Sequence, residues 1–149
     1  MKEDLVVFLG VLLCMAISAE FVWPSPDEEK CIKELSLDKK HIESFIVKYV
    51  PGELPDNDAD FIKFAVCLAK QIGAQDENGQ FNFPNLIEFI QYFDKSIYSN
   101  LTGNVGEEIA TKAVDSCKTI DNKEDSGKSL IKMQNCLDSY LADYFDTDS

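Results

Sequence analysis

The cysteines constrain this chain more than any other feature, but their number depends on whether the N-terminus is removed. Of the five, Cys14 lies within an apolar run from Leu5 to Ile17. That run is too short for a membrane-spanning helix, which needs about 20 apolar residues, and it ends in small residues. The single lysine before it is cancelled by two acidic residues, which departs from the usual positive start. We nevertheless predict that residues 1–19 are a secretory signal peptide, which leaves one secreted domain at 20–149.

Four cysteines remain in the predicted mature chain, and an even number in a secreted protein indicates two disulfide bonds. Four cysteines allow three pairings. A zinc site is the alternative, but the sequence has no CxxC motif and its only histidine is His41. Disulfides are therefore the better interpretation. The four residues are Cys31, Cys67, Cys117 and Cys136.

The charge of the chain excludes one class of partner. The full sequence carries a net charge of −13, and removal of the segment with one lysine and two acidic residues leaves −12. A chain this acidic repels a phosphate backbone, and no run rich in lysine or arginine reverses that effect. We therefore expect no nucleic acid among its partners.

Apolar residues recur at three- and four-residue spacing along most of the mature chain, which predicts helices. No alternating strand pattern and no internal repeat is present. Ser25, Pro26 and Glu28 together are typical of a helix start, and Pro51-Gly52 breaks the second helical segment. We predict an all-α domain of about six short helices around an apolar cavity. The predicted helices begin at about Ser25, Asp38, Asp58, Phe83, Gly106 and Ser126.

The stretch QDENGQFNFPN, residues 75–85, is similar to the second half of an EF-hand calcium loop. With Gly79 at position six, position one is Ala74 and position twelve is an asparagine, so two required ligands are missing. With Asp76 at position one, Phe81 takes the place of the essential glycine. We predict no metal site here, but an Asn-Gly turn between two helices.

The same stretch, taken with the cysteines, resembles a known family. The segment from Cys67 through the GxxDxNG turn to Phe81 is similar to the one after the third cysteine of insect odorant-binding proteins, the pheromone/general odorant-binding family. That family has six helices and three interlocked disulfides. Its second and fifth cysteines, which are partners, correspond here to Lys63 and Gly127. The chain therefore resembles the four-cysteine "minus-C" subgroup of that family.

The resemblance implies a disulfide pairing and a consequence for stability. It implies Cys31–Cys67, joining the first and third helices, and Cys117–Cys136, joining the fifth and sixth. In the absence of the third bridge, the third helix and the segment near Gly127 must be held together by packing. We expect a more compliant cavity than in a six-cysteine member.

A helical shell rich in aromatic side chains supplies the material of an apolar ligand pocket. The alternative for each candidate is that it is ordinary core. Tyr140 would offer a hydroxyl to a polar ligand group, and Met133 a side chain that adapts to different ligand shapes. The candidate lining residues are Phe61, Phe64, Leu68, Phe89, Phe93, Ile109, Val114, Met133, Leu137 and Tyr140.

Three further residues carry expectations of their own. His41, beside Lys39 and Lys40, is expected to be an exposed helical residue. Trp23 follows the predicted cleavage site and is expected to lie in a mobile N-terminus. Asn100 begins an Asn-Leu-Thr sequon in a predicted loop and is a candidate N-glycosylation site.

We expect a secreted carrier that binds a small hydrophobic molecule without chemistry, with no cofactor. An enzyme is not expected, because His41 has no recognisable catalytic context and the calcium loop is broken. The alternative is a secreted scavenger or interaction protein of the same fold, binding biogenic amines or acting in saliva or seminal fluid. A membrane receptor is a second partner to consider, and we expect a monomer or weak dimer.

Overall fold

The structure, a computed structural model, describes residues 23–97, 104–120 and 125–147, without the side chains of 92–97 and 145–147. Within these residues it is all-helical, and its one β-contact is an isolated bridge between Gln75 and Phe81. This confirms the predicted fold class. No described helix is long and apolar enough to cross a membrane. The helices are α1 (Pro26–Glu34), α2 (Lys39–Val47), α3 (Ala59–Ile72), α4 (Phe83–Ile97), α5 (Val105–Cys117) and α6 (Ser126–Thr147).

The helix boundaries follow local chemistry. Before α1, Ser25 and Glu28 form a reciprocal capping box, in which the Ser25 N–H donates to Glu28 Oε1 at 2.7 Å. Before α3, the Asp58 carboxylate accepts the Phe61 N–H at 2.8 Å. Gly73 ends α3 in the left-handed conformation, with φ of 82°, which a side chain would disfavour.

The last helix begins at Ser126, as predicted. At 22 residues, α6 is the longest of the described helices. No proline or glycine occurs after Gly127, so nothing in the sequence interrupts it.

The packing of the helices places α3 at the centre. Helices α1, α2 and α6 pack against it, while α5 packs against both α4 and α6. One disulfide, Cys31–Cys67, joins α1 to α3, and the other, Cys117–Cys136, joins α5 to α6, each with 6.0 Å between the Cα atoms. The pairing implied by the family resemblance is therefore confirmed.

Candidate functional site

Most of the residues predicted to line a ligand pocket lie in one hydrophobic core. Phe89 and Tyr140 are half-buried and pack against that core, while Phe93 lies in α4 with its side chain outside the described residues. That they line a pocket remains a prediction. The buried members, each no more than 3% exposed, are Phe61, Phe64, Leu68, Ile109, Val114, Met133 and Leu137.

The aromatic residues of this core make ring contacts with each other. Phe61 and Phe64, adjacent turns on α3, have centroids 6.2 Å apart. Phe45 of α2 packs edge-on against Phe61 at 5.2 Å, and Trp23 packs edge-on against Phe64 at 6.0 Å. We call these four residues the aromatic row. The expectation that Trp23 lies in a mobile N-terminus is wrong, because its ring is half-buried against the core.

His41 lies at one end of the aromatic row. It is not simply exposed, as the sequence suggested: its side chain is 41% exposed, and its ring packs edge-on against Phe45. Its Nε2 lies 2.8 Å from Asp58 Oδ2. Burial works against ionisation of Asp58, but hydrogen bonds from the Phe61 N–H and from His41 outweigh it and lower the pKa of this carboxyl. The pair joins α2 to the start of α3.

A buried polar cluster lies between the α2–α3 connection and α6. Asp138 is 3% exposed, and both of its oxygens accept hydrogen bonds from Gln134 Nε2, at 2.8 and 2.7 Å. The Tyr49 hydroxyl donates to Asp138 Oδ2. Burial raises the pKa of Asp138 to about 7, although both hydrogen-bonding partners lower it. Burial and the neighbouring carboxylate also raise the pKa of the Tyr49 hydroxyl.

The same connection is fastened to α6 one turn earlier. Asn135 Oδ1 accepts the Leu54 N–H at 2.8 Å, and Asn135 Nδ2 donates to the Leu54 carbonyl at 3.0 Å. Gly52 has φ of 86°, which a side chain would disfavour, and a Cβ there would lie 2.1 Å from Ser139 Oγ, so the hydroxyl would have to turn away. Hydrogen bonds with side chains of α6 thus hold the 48–54 loop at two positions, Tyr49 and Leu54.

Beneath Leu54 lies a small apolar cavity. Its volume is about 10 Å³, which is close to the minimum that holds one water molecule. Ala65 and Ala69, one turn apart on α3, form one wall, and small side chains there leave space that larger ones would fill. The remaining lining residues are Leu54, Ala74, Leu130, Ile131 and Gln134.

The first turn of α6 packs tightly against α3, close to the two positions, Lys63 and Gly127, that the resemblance aligns with the family's second and fifth cysteines. A Cβ at Gly127 would lie 2.5 Å from Ile62 Cγ2 and 3.4 Å from Val66 Cγ2. Lys63 is exposed. The link between these segments therefore depends on close packing, which the absence of a side chain at Gly127 permits.

The turn after α3 also holds the start of α6. Gln75, only 2% exposed, donates from Nε2 to the carbonyls of Gly79 and Ser126, at 3.3 and 3.2 Å. Gly79 has φ of 78°, and a Cβ there would lie 2.6 Å from Ser126 Cβ. This glycine therefore serves both the left-handed turn and the contact with α6.

One acidic residue of this turn, Asp76, stabilises its backbone. Asp76 Oδ1 accepts the N–H groups of Asn78 and Gln80 at 2.8 and 2.9 Å. Among the described residues, no group of three or more His, Cys, Asp or Glu side chains is arranged to hold a metal ion.

The sequence did not reveal the Tyr49–Asp138–Gln134 cluster. A local signal existed, because Gln134 and Asp138 are four residues apart, which places them on the same face of α6. Gln134 is also four residues after the apolar Leu130, and Asp138 directly follows the apolar Leu137. Their partner Tyr49 is 89 residues distant from Asp138 in the chain, and local patterns do not reveal such contacts.

Comparison with known proteins agrees with the fold and the disulfides. No curated protein and no solved structure gives a significant match to this chain. The family model described as PBP/GOBP family matches residues 25–140, from the cap of α1 to the second half of α6. The match covers five helices, most of α6 and the four paired cysteines, so the chain belongs to the PBP/GOBP family.

Proposed function

We propose that this protein is a secreted carrier of small hydrophobic ligands, such as odorants, pheromones or related lipids. Members of the family are binding proteins, and membership rests on a match through most of the chain. Residues 1–19 would act as the signal peptide, and the oxidised pairing of all four later cysteines supports an extracellular location. No cofactor is needed for this activity.

The observation that carries the proposal is the aromatic row together with the hydrophobic core to which it belongs. Buried apolar side chains of α3, α5 and α6 are part of the same core. An apolar ligand that replaced part of these contacts would be surrounded by aromatic and aliphatic groups, as is usual for small-molecule sites. The ten predicted lining residues, Phe93 included, remain the proposed site.

We further propose that the chain is a four-cysteine variant of the family fold. The support is structural: the position expected to hold the second cysteine, Lys63, is exposed, and Gly127 packs against the adjacent Ile62. Close packing would replace the covalent link. Glycosylation at Asn100, which lies outside the described residues, a monomeric or weakly dimeric state, and a receptor partner also remain proposals.

The proposal is tested by titrating the oxidised mature protein with the apolar fluorescent dye N-phenyl-1-naphthylamine. The bound dye is then competed with long-chain alcohols, long-chain esters and biogenic amines. A Phe64→Leu variant removes part of the buried ring surface, and we expect its dye affinity to fall several-fold. Val47→Ala, at a side chain that is 75% exposed, is the matched control and should bind as the native protein does.

Saturable dye binding that alcohols or esters displace would support an apolar carrier. Displacement by amines alone would instead favour the scavenger function. Both Asp138 oxygens already accept hydrogen bonds, so the described residues do not favour an amine site at this carboxylate. An absence of saturable dye binding in a correctly oxidised, folded sample would refute the proposed function.

A further inference from the structure

We propose that the alanine-lined cavity between α3 and α6 is a second binding site, which takes short branched aliphatic compounds when the 48–54 loop releases the Leu54 side chain. This site goes beyond the proposed carrier function, because none of its seven lining residues belongs to the predicted ligand pocket. The class of ligand follows from the Leu54 side chain, an isobutyl group, which lines the cavity in this structure.

The chemistry of the lining determines the class of ligand. Six of the seven lining side chains are aliphatic, and the exception is Gln134, whose Nε2 already donates to both oxygens of Asp138. The cavity itself holds about 10 Å³, too little for an organic ligand. Withdrawal of Leu54 would add the space of one isobutyl group. A ligand that ends in an isobutyl group would therefore reproduce the contacts that Leu54 gives up.

The structure of the loop allows this exchange. Leu54 lies between Pro51-Gly52 and Pro55, outside any helix, and side-chain hydrogen bonds hold the segment to α6. The hydrogen bond from Tyr49 to Asp138 holds the N-terminal end of the loop against α6. All these contacts can break while α3 and α6 keep their own backbone hydrogen bonds. Local opening of such a loop requires far less than global unfolding.

Two exposed apolar side chains lie next to or within this loop. Val47 and Val50 are 75% and 51% exposed, at the end of α2 and within the loop, respectively. A hydrophobic molecule that reaches the loop would meet these side chains before Leu54. Opening of the loop would connect the cavity beneath Leu54 with solvent.

The test compares 3-methylbutan-1-ol, whose tail is an isobutyl group, with its unbranched isomer pentan-1-ol. Binding is followed by the NMR shifts of the Ala65, Ala69 and Ala74 methyl groups. The branched alcohol should shift these signals saturably in the native protein and bind several-fold more tightly than its isomer. Ala69→Val fills the cavity and should abolish the shifts.

Two further variants test the loop. Tyr49→Phe removes one hydrogen bond and keeps the ring, so the open loop becomes more populated and the apparent affinity for the branched alcohol should rise, on the order of tenfold at most. Leu54→Ala leaves the space permanently vacant and should bind at least as tightly as Tyr49→Phe. Both are compared at temperatures where circular dichroism shows them folded.

The proposal is overturned if neither the native protein nor Leu54→Ala shows saturable methyl shifts. It is also overturned if the two isomers bind equally, or if Ala69→Val binds as the native protein does. Affinity in Tyr49→Phe equal to that of the native protein would refute the loop as the barrier. Dye binding at the aromatic row is measured on the same samples, so failure of this second site is distinguished from failure of the carrier function.

Discussion

Replacement of Gly127 by alanine gives a sharp test of how α6 is held against α3. The Cβ would lie 2.5 Å from Ile62 Cγ2, whereas carbon atoms pack best at about 3.5–4.0 Å. Ile62 is β-branched and lies within α3, so its side chain has little freedom to turn away. The strain must therefore be relieved by a shift of one helix relative to the other.

The magnitude follows from two opposing effects. Alanine in place of glycine in a helix stabilises by up to about 1 kcal/mol. An extra methyl group in a closely packed contact costs about 1–3 kcal/mol. We expect Gly127→Ala to lower the free energy of unfolding by about 1–2 kcal/mol, because the contact is shorter than ordinary packing allows and a second methyl group, of Val66, lies 3.4 Å away.

The assay is urea unfolding of the oxidised protein, followed by far-ultraviolet circular dichroism, with a double-mutant cycle. Ile62→Ala removes the Cγ2 atom that the new methyl group would meet. We therefore expect Gly127→Ala to be almost neutral or stabilising in that background, with a coupling energy of about 1–3 kcal/mol. Lys63→Ala, at the exposed neighbouring residue, is the control and should not couple to Gly127→Ala.

Stabilisation of the native protein by Gly127→Ala, of the size expected from helix propensity alone, would refute this reasoning. A loss that is the same in the native and Ile62→Ala backgrounds would also refute it, because the cost would then not arise from the contact with α3.

Three further perturbations have defined outcomes. Asp138 has a pKa of about 7 in the fold and 3.8 as its ordinary value, so the folded state keeps a proton that the unfolded chain loses between these pH values. Stability should therefore fall as pH rises from about 4 to 7, by as much as roughly 4 kcal/mol, and the fall should disappear in Asp138→Asn; equal slopes in both proteins would refute the assignment. Trp23 is the only tryptophan and contacts Phe64, so ligand binding at the aromatic row should change its emission, and saturable dye binding without such a change would place the dye elsewhere. Asp58→Ala should cost about 1 kcal/mol in urea unfolding, while Asp58→Asn, which keeps a cap for the Phe61 N–H, should cost much less; equal losses would show that the charge matters more than the cap.

The parts of the fold that were predictable from the sequence depend on neighbouring residues. The capping box at Ser25 and Glu28, the cap at Asp58 and the left-handed Gly73 are each encoded within a few positions. Hydrophobic spacing then gave the helices between them, because each buries one face. The disulfide pairing required the family resemblance, since four cysteines allow three pairings.

The parts that were not predictable depend on contacts between distant segments. A tryptophan just after a predicted cleavage site is compatible with either a mobile tail or a core contact, and only the position of Phe64 decides between them. From the sequence alone, Asp138 would be taken for a solvated helical residue. Its burial becomes evident only from the contacts with Tyr49 and Gln134 in the fold. Likewise, the sequence does not show that Gly127 is in close contact with another helix, because its neighbour Ile62 is distant in the chain.

The two ends of α6 are held by contacts of different chemistry, and this determines how the molecule responds to its surroundings. The first turn is held by the close approach of Gly127 to α3 and by Gln75, and neither contains a group that titrates near neutral pH. The later turns are held to the 48–54 loop through Asp138, which must carry a buried charge above about pH 7. A rise in pH should therefore loosen the loop and the second half of α6 first, while the first turn stays packed. Hydrogen exchange at pH 6 and pH 8, corrected for intrinsic rates, should show a larger loss of protection around Asp138 than around Gly127; equal losses at the two ends would contradict this division.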